Sequence, residues 1–245
     1  MTLRQYLKEI DNFLVKTLDK TGAQGYVLGL SGGVDSSLVA ALANKAVGRE
    51  KLLCVVIPIE SSPNDLLDAM KIVNLFNLNY VVYDATKIYN EYMESFLEKK
   101  EVIDKATFAN LKVRIRMSIL YAYAQARKSL VLGTDNADER YTGYFTKWGD
   151  GAADLLPIVH LTKGEVVEAS KILGIPKELA ERTPSAGLFA GQTDEKEMGV
   201  KYKDLDAYLL GKKVKPEVAA RIEQLHAASE HKRKDIPCPK KFVRS

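Results

Sequence analysis

The run Ser31-Gly32-Gly33-Val34-Asp35-Ser36-Ser37 joins a short apolar stretch to one of helical character. Adjacent glycines let a backbone take positive φ and come close to a ligand. The N–H groups of such a turn, with those opening the next helix, bind an anion, and the helix dipole adds to the attraction. Ser31, Ser36 and Ser37 offer hydroxyl donors. Asp35 is misplaced beside an anion unless it holds a Mg2+ ion that bridges phosphates. The chemistry these residues predict is therefore phosphate binding, by a turn that is not a Walker A loop because GxxxxGK[ST] is absent. The same run also reads as a serine-capped turn with an acid favourably placed near a helix start.

Other candidates are spread along the chain. Glu139 follows a second apolar run, SLVLGT (129–134), so its carboxylate would reach the same crevice as Asp35. Two carboxylates and phosphate oxygens make a Mg2+ shell, although Glu139 also reads as an acid at a helix N-terminus. Thr134 ends that run, as a nucleotide contact or as a helix cap. Arg114 and Arg116 are two apart and face different sides of a helix. One is free to bind an anionic substrate and the other to form a surface ion pair. Lys163 opens a helix, where a cation is mildly unfavourable, and that misfit favours a phosphate partner. Ser185 reads as a helix cap. His231 and Lys232 end a helix, where cations are stabilising in any case. Lys147 and Asp154 lie in a loop, and spacing alone assigns them nothing.

The elements that must position these groups alternate between strand and helix. Residues 3–18 carry Leu3, Tyr6, Leu7, Ile10, Phe13, Leu14 and Leu18 at helical spacing,. Strands are predicted at 25–30, 51–59, 79–84 and 129–134. Helices are predicted at 34–47, from Pro63 to about Phe76 behind a Ser62 cap, and at 86–100 and 105–127. This alternation predicts an α/β fold with an open, mostly parallel, doubly wound sheet, Rossmann-like, whose ligands bind beyond the carboxyl ends of the strands. Residues 135–160 read as one long loop. Helices at 162–173, 198–210 and 215–230 follow, with a polar loop at 183–197 and a basic tail.

The bulk numbers fit one soluble domain spanning 1–245. Hydrophobic residues make up 46% and charged residues 28%, and the formal net charge is +4. That charge suits phosphorylated ligands but lacks the dense basic stripe of a nucleic-acid binder. The two cysteines form no metal-ligand spacing, and no apolar stretch is long enough to span a bilayer, so a cytoplasmic setting without membrane contact is expected.

SGGxDS is the signature of the PP-loop ATP pyrophosphatases, and residues 31–36 resemble it. Three further stretches resemble the NAD synthetases of that group, whose sheet is of the adenine-nucleotide alpha-hydrolase type. They are Asn110 to Met117 (NxxxRxRM), Gly133 to Glu139 (GTDNAxE) and Phe145 to Asp154 (FTKxGDGxxD, with Trp148 where tyrosine is commonest). Leu161-Thr162-Lys163, Pro184 to Leu188, Gln192 to Glu195 and His231-Lys232-Arg233 match in order. Gly187 departs from members that carry aspartate there, which touches only local loop contacts.

The resemblance implies the following roles. Gly29, Leu30, Ser31, Gly32, Gly33, Val34, Asp35, Ser36, Ser37, Thr134, Lys163 and Ser185 contact ATP. Asp35 and Glu139 hold Mg2+ and serve catalysis. Arg114, Lys147, Asp154, His231 and Lys232 bind deamido-NAD. ATP would convert the nicotinate carboxylate to an acyl-adenylate, and ammonia would displace AMP. Ammonia is the expected nitrogen source because the first helix begins almost at residue 2, leaving no amidohydrolase domain ahead of it. Such synthetases are homodimers with a shared pocket. Two other readings stay open at this point: a tRNA-modifying enzyme with the same loop, and a non-catalytic adenine-nucleotide sensor.

Overall fold

The computed structural model describes residues 1–99, 104–182 and 193–242. Helix α1 (Leu3–Thr21) opens at a capping box between Thr2 and Gln5 and buries Leu7, Ile10, Leu14 and Leu18, the stripe its periodicity predicts,. Then follow β1 (Tyr26–Gly29), α2 (Val34–Val47), β2 (Leu52–Val56), α3 (Pro63–Leu75), β3 (Tyr80–Val82), α4 (Thr86–Glu98), α5 (Lys105–Ala126) and β4 (Leu130–Leu132). Ser62 caps α3 through the Asn64 amide, with Pro63 in the first turn,.

The strands lie in the order β3-β2-β1-β4 and every pairing is parallel. Side chains alternate across the sheet. Tyr26, Leu28 and Leu30 join a core with α1, α2 and α3, whereas Val27, Leu53, Val55 and Val131 pack towards α4 and α5. Helices therefore cover both faces, which is why all five residues of β2 are buried,. The chain leaves β1 towards β2 on one side, while β4 pairs on the other. The carboxyl ends of β1 and β4 thus flank a topological switch point, the expected crevice.

Beyond β4 come α6 (Ala137–Thr142), α7 (Lys163–Ile172), α8 (Lys177–Ala180), α9 (Asp194–Met198), α10 (Tyr202–Leu209) and α11 (Pro216–Ala228), then a 3-10 turn at Glu230–Lys232. The segment 135–160 is not wholly loop, because α6 is folded within it. The helix expected from 198 starts at Tyr202, because Gly199 adopts φ +70° and ends α9. Met198, Val200, Tyr202, Leu205 and Ile222 form a small separate core against Tyr141 and Tyr144. No helix among the described residues is long and apolar enough to cross a membrane.

Candidate functional site

The turn after β1 is built around one left-handed residue. Gly32 has φ +84°, and a Cβ there would lie 2.7 Å from the Asp65 carbonyl oxygen and 2.8 Å from the Ala69 nitrogen of α3. Gly33 does not share the positive φ expected of both glycines. It sits at φ −72° as the N-cap of α2, where an extended backbone is normal. Gly32→Ala should therefore destabilise the fold by about 2–5 kcal/mol, from left-handed strain plus overpacking. A denaturation midpoint equal to that of the native chain would show that α3 does not confine this turn.

The serines of the turn mostly bond to one another and to the backbone. The Ser36 hydroxyl accepts from the Ser31 amide at 3.3 Å and donates to the Gly33 carbonyl at 3.1 Å. Ser37 donates to the same carbonyl at 2.8 Å. Ser36 and Ser37 are buried, so they brace the turn, while Ser31 stays exposed. Among the described residues no side chain caps the start of α2. Its first amides, with the dipole behind them, have the chemistry that attracts an anion. Gly29 and Leu30 lead into this turn, Leu30 donating its amide to Val55 at 3.0 Å, and Val34 is the first residue of α2.

Across the switch point, Asp35, Glu139 and Lys163 meet. The Lys163 ammonium lies 2.5 Å from Asp35 Oδ2 and 3.4 Å from Glu139 Oε1. Asn136 locks the other side, donating from Nδ2 to Asp35 Oδ1 at 2.9 Å. Asn136 and Glu139 form the capping box of α6, each side chain bonding the other's amide,. The Tyr202 ring lies with its centroid 5.0 Å from Lys163 Nζ. The three charged side chains are largely buried, at 7% exposure for Lys163, 17% for Asp35 and 16% for Glu139.

Burial alone would lower the Lys163 pKa, but Asp35 and Glu139 outweigh it and hold the ammonium protonated,. Glu139 is raised well above the usual carboxylate range, first by burial and then by repulsion from Asp35. Burial and the Asp150 charge push Asp135, at the exit of β4, up to about 7. The site is thus rich in carboxylates that want a cation. Two hard oxygen donors aimed at one point fit a Mg2+ ion, which binds through one or two carboxylates plus substrate phosphates. In the described structure the ammonium of Lys163 occupies the centre of that pair, so its nearest partners are carboxylates.

The expected substrate residues divide into two groups. Arg114 Nη2 donates to the Lys147 carbonyl at 3.3 Å, and Lys147 Nζ donates to the His231 carbonyl at 2.8 Å. Lys232 Nζ donates to the Gly143 and Phe145 carbonyls at 2.7 Å each. Arg114, Lys147, His231 and Lys232 are therefore gathered around one loop. Asp154 is held apart: its carboxylate accepts the Val131 amide at 2.7 Å, completing the edge of β4, and faces the Tyr121 hydroxyl.

Among the described residues Arg116 makes no surface ion pair. It turns inward to the Ile57 carbonyl at 3.1 Å and the Ser61 hydroxyl at 3.4 Å, because its position on α5 faces the sheet. Thr134 is half-buried beyond β4, and the cap of α6 is Asn136 instead. Ser185 and the rest of Pro184 to Leu188 lie outside the described residues. Sequence reasoning gave no role to Asn136 or Tyr202. The spacing Asn136-x-x-Glu139 is a readable capping-box signal, whereas Tyr202 reaches Lys163 only through the tertiary fold.

The comparisons with known proteins bear on the whole of this arrangement. The family model for NAD synthase matches residues 6–236. The NH(3)-dependent NAD(+) synthetase of Mesoplasma florum is 41% identical over 244 residues, covering 100% of each chain. The NMN synthetase structure from Francisella tularensis has a TM-score of 0.93 at 38% identity, covering 98% of this chain and 100% of that one. The NH3-dependent NAD synthetase from Campylobacter jejuni gives 0.80 at 28% identity, with the same coverage. With a glycine turn and a helix start at the switch point and a match over nearly its whole length, this chain belongs to the NAD synthase family.

Proposed function

We propose that the chain is a carbon–nitrogen ligase that amidates deamido-NAD with ammonia, using ATP and giving NAD, AMP and pyrophosphate. The observation that carries this reading is the convergence of Asp35, Glu139 and Lys163 beside an uncapped helix start. A carboxylate is a poor electrophile at neutral pH, so it needs activation. The nicotinate oxygen attacks the α-phosphorus of ATP, the bond to the β-phosphate oxygen breaks, and pyrophosphate leaves. The first amides of α2 hold the departing anion and Lys163 offsets its charge, both acting where charge develops. Mg2+ held by Asp35 and Glu139 would supply further neutralisation between the phosphates. Ammonia then attacks the acyl carbon, and AMP leaves with the bridging oxygen. The cations Arg114, Lys147 and Lys232 provide a basic wall for the phosphates of the second substrate.

A second reading keeps the chemistry and shortens the substrate to nicotinate mononucleotide. It is favoured by the TM-score of 0.93 to the Francisella tularensis NMN synthetase, against 0.80 to the Campylobacter jejuni enzyme. Both readings fit a homodimer. Exposed Tyr80 and Val82 on the edge strand β3, with Tyr92, Phe96 and Leu97 on α4, support a second copy as the cover,. The deciding assay follows pyrophosphate with ATP, Mg2+ and ammonium, adding either deamido-NAD or nicotinate mononucleotide. Release that requires deamido-NAD is expected, with glutamine unable to replace ammonium. Preference for the mononucleotide would select the second reading, and release independent of both acceptors would defeat the two together.

A further inference from the structure

Lys163 is the first residue of α7, so the place of its ammonium depends on how that helix end is held. Thr162 and Glu165 already form a capping box there. Two more carboxylates take the next amides. Asp138 Oδ2 accepts the Lys163 amide at 2.7 Å, and Asp206 Oδ2 accepts the Gly164 amide at 2.9 Å. Asp138 adjoins Glu139 on α6. Asp206 comes from α10, four residues after Tyr202, so both project from one face of that helix towards Lys163,. The two carboxyl groups also meet each other in a side-chain hydrogen bond.

Gly164 gives an independent sign of the same contact. A Cβ there would stand 2.5 Å from Asp206 Oδ2. Glycine inside a helix costs about 1 kcal/mol relative to alanine, and here it leaves room for a carboxylate from another element. Thr162 takes the Glu165 amide, so Asp206 satisfies a helix-start amide that the capping box leaves open. What Asp206 adds is a tie between the small C-terminal core and the residue that bridges Asp35 and Glu139.

We propose that Asp206 is a positioning residue for the ATP site: from α10 it fixes the start of α7, and through it the Lys163 ammonium between Asp35 and Glu139. The inference rests on the ligase reading given above. The test measures pyrophosphate release, ATP affinity by calorimetry and thermal midpoints. It compares the native chain with Asp206→Ala, Asp206→Asn, Gly164→Ala, Lys163→Met and the double variant Asp206→Ala/Lys163→Met. Asp206→Ala should lower kcat by about 10- to 100-fold, the scale of a small misplacement, with the KM for ATP changed less than kcat. Asp206→Asn should recover most of the rate, because its amide can accept from Gly164 and donate to Asp138. Gly164→Ala, which displaces the carboxylate without removing it, should reproduce the loss. In the Lys163→Met background, Asp206→Ala should cost no further rate or ATP affinity. An unchanged kcat in Asp206→Ala, or an equal loss with and without Lys163, would overturn the proposal. A native chain that releases no pyrophosphate would instead fault the ligase reading, and the calorimetric comparison would still judge Asp206.

Discussion

Lys163→Met is expected to slow pyrophosphate release by about 100- to 1000-fold, the usual cost of removing a preorganised charge from a reacting site. It should also weaken the free protein. Asp35 and Glu139 are both more than four-fifths buried and face the same ammonium. Removing one partner of a buried ionic group costs about 3–5 kcal/mol, because charge is left without compensation. Glu139 can absorb part of this by staying protonated, since burial and Asp35 already raise its pKa. Magnesium then becomes diagnostic. If the two carboxylates hold that ion, millimolar Mg2+ should raise the thermal midpoint of Lys163→Met more than that of the native chain, whose ammonium competes for the same oxygens. A midpoint indifferent to Mg2+ in both proteins would leave the pair as a plain buried salt bridge. A near-native rate would remove Lys163 from the chemistry.

The frame of the fold could be read from local patterns. The α1 stripe and the unbroken apolar run of β2 each follow from one element's own periodicity, and the Ser62-Pro63 start of α3 from cap chemistry. The turn between β1 and α2 was legible for the same reason, since a glycine pair after an apolar run and before a helical one marks a tight strand-to-helix junction. Even so, only Gly32 needs positive φ, and α3, which forbids a side chain there, is brought in by tertiary packing. Helix α6 entered only as an alternative reading of Glu139 as a helix N-terminal acid, because six residues are too few to show a period. Lys163 is the more instructive case. A cation at a helix start pointed to a phosphate partner, and in the described structure its partners are the carboxylates of Asp35 and Glu139. Sequence could not distinguish a ligand's phosphate from the carboxylates of Asp35 and Glu139, because both lie far away along the chain. Arg116 and Asp154 show the same limit, their partners being a carbonyl and an amide on other elements, contacts that no side-chain pattern encodes.

Asp35→Asn should abolish turnover, by about 1000-fold or more, while leaving the fold nearly intact. The two effects separate because Asp35 has two jobs in the free protein. Its Oδ1 accepts from Asn136, and an asparagine carbonyl can do the same. Its Oδ2 carries charge to Lys163, and an amide cannot. The ammonium is then left with Glu139 at 3.4 Å. Glu139, relieved of repulsion from Asp35, ionises more readily and forms a single carboxylate–ammonium pair,. One buried pair replaces a crowded triad, so the stability change should stay within about 1.5–3 kcal/mol, the range of a hydrogen bond to a charged group. The chemical step has no such substitute, because asparagine brings no negative charge to hold the Mg2+ ion proposed for the triphosphate. Melting curves beside single-turnover formation of AMP would separate the two effects. A variant that melts like the native chain and still forms AMP at the native rate would show that Asp35 serves only the architecture of the crevice.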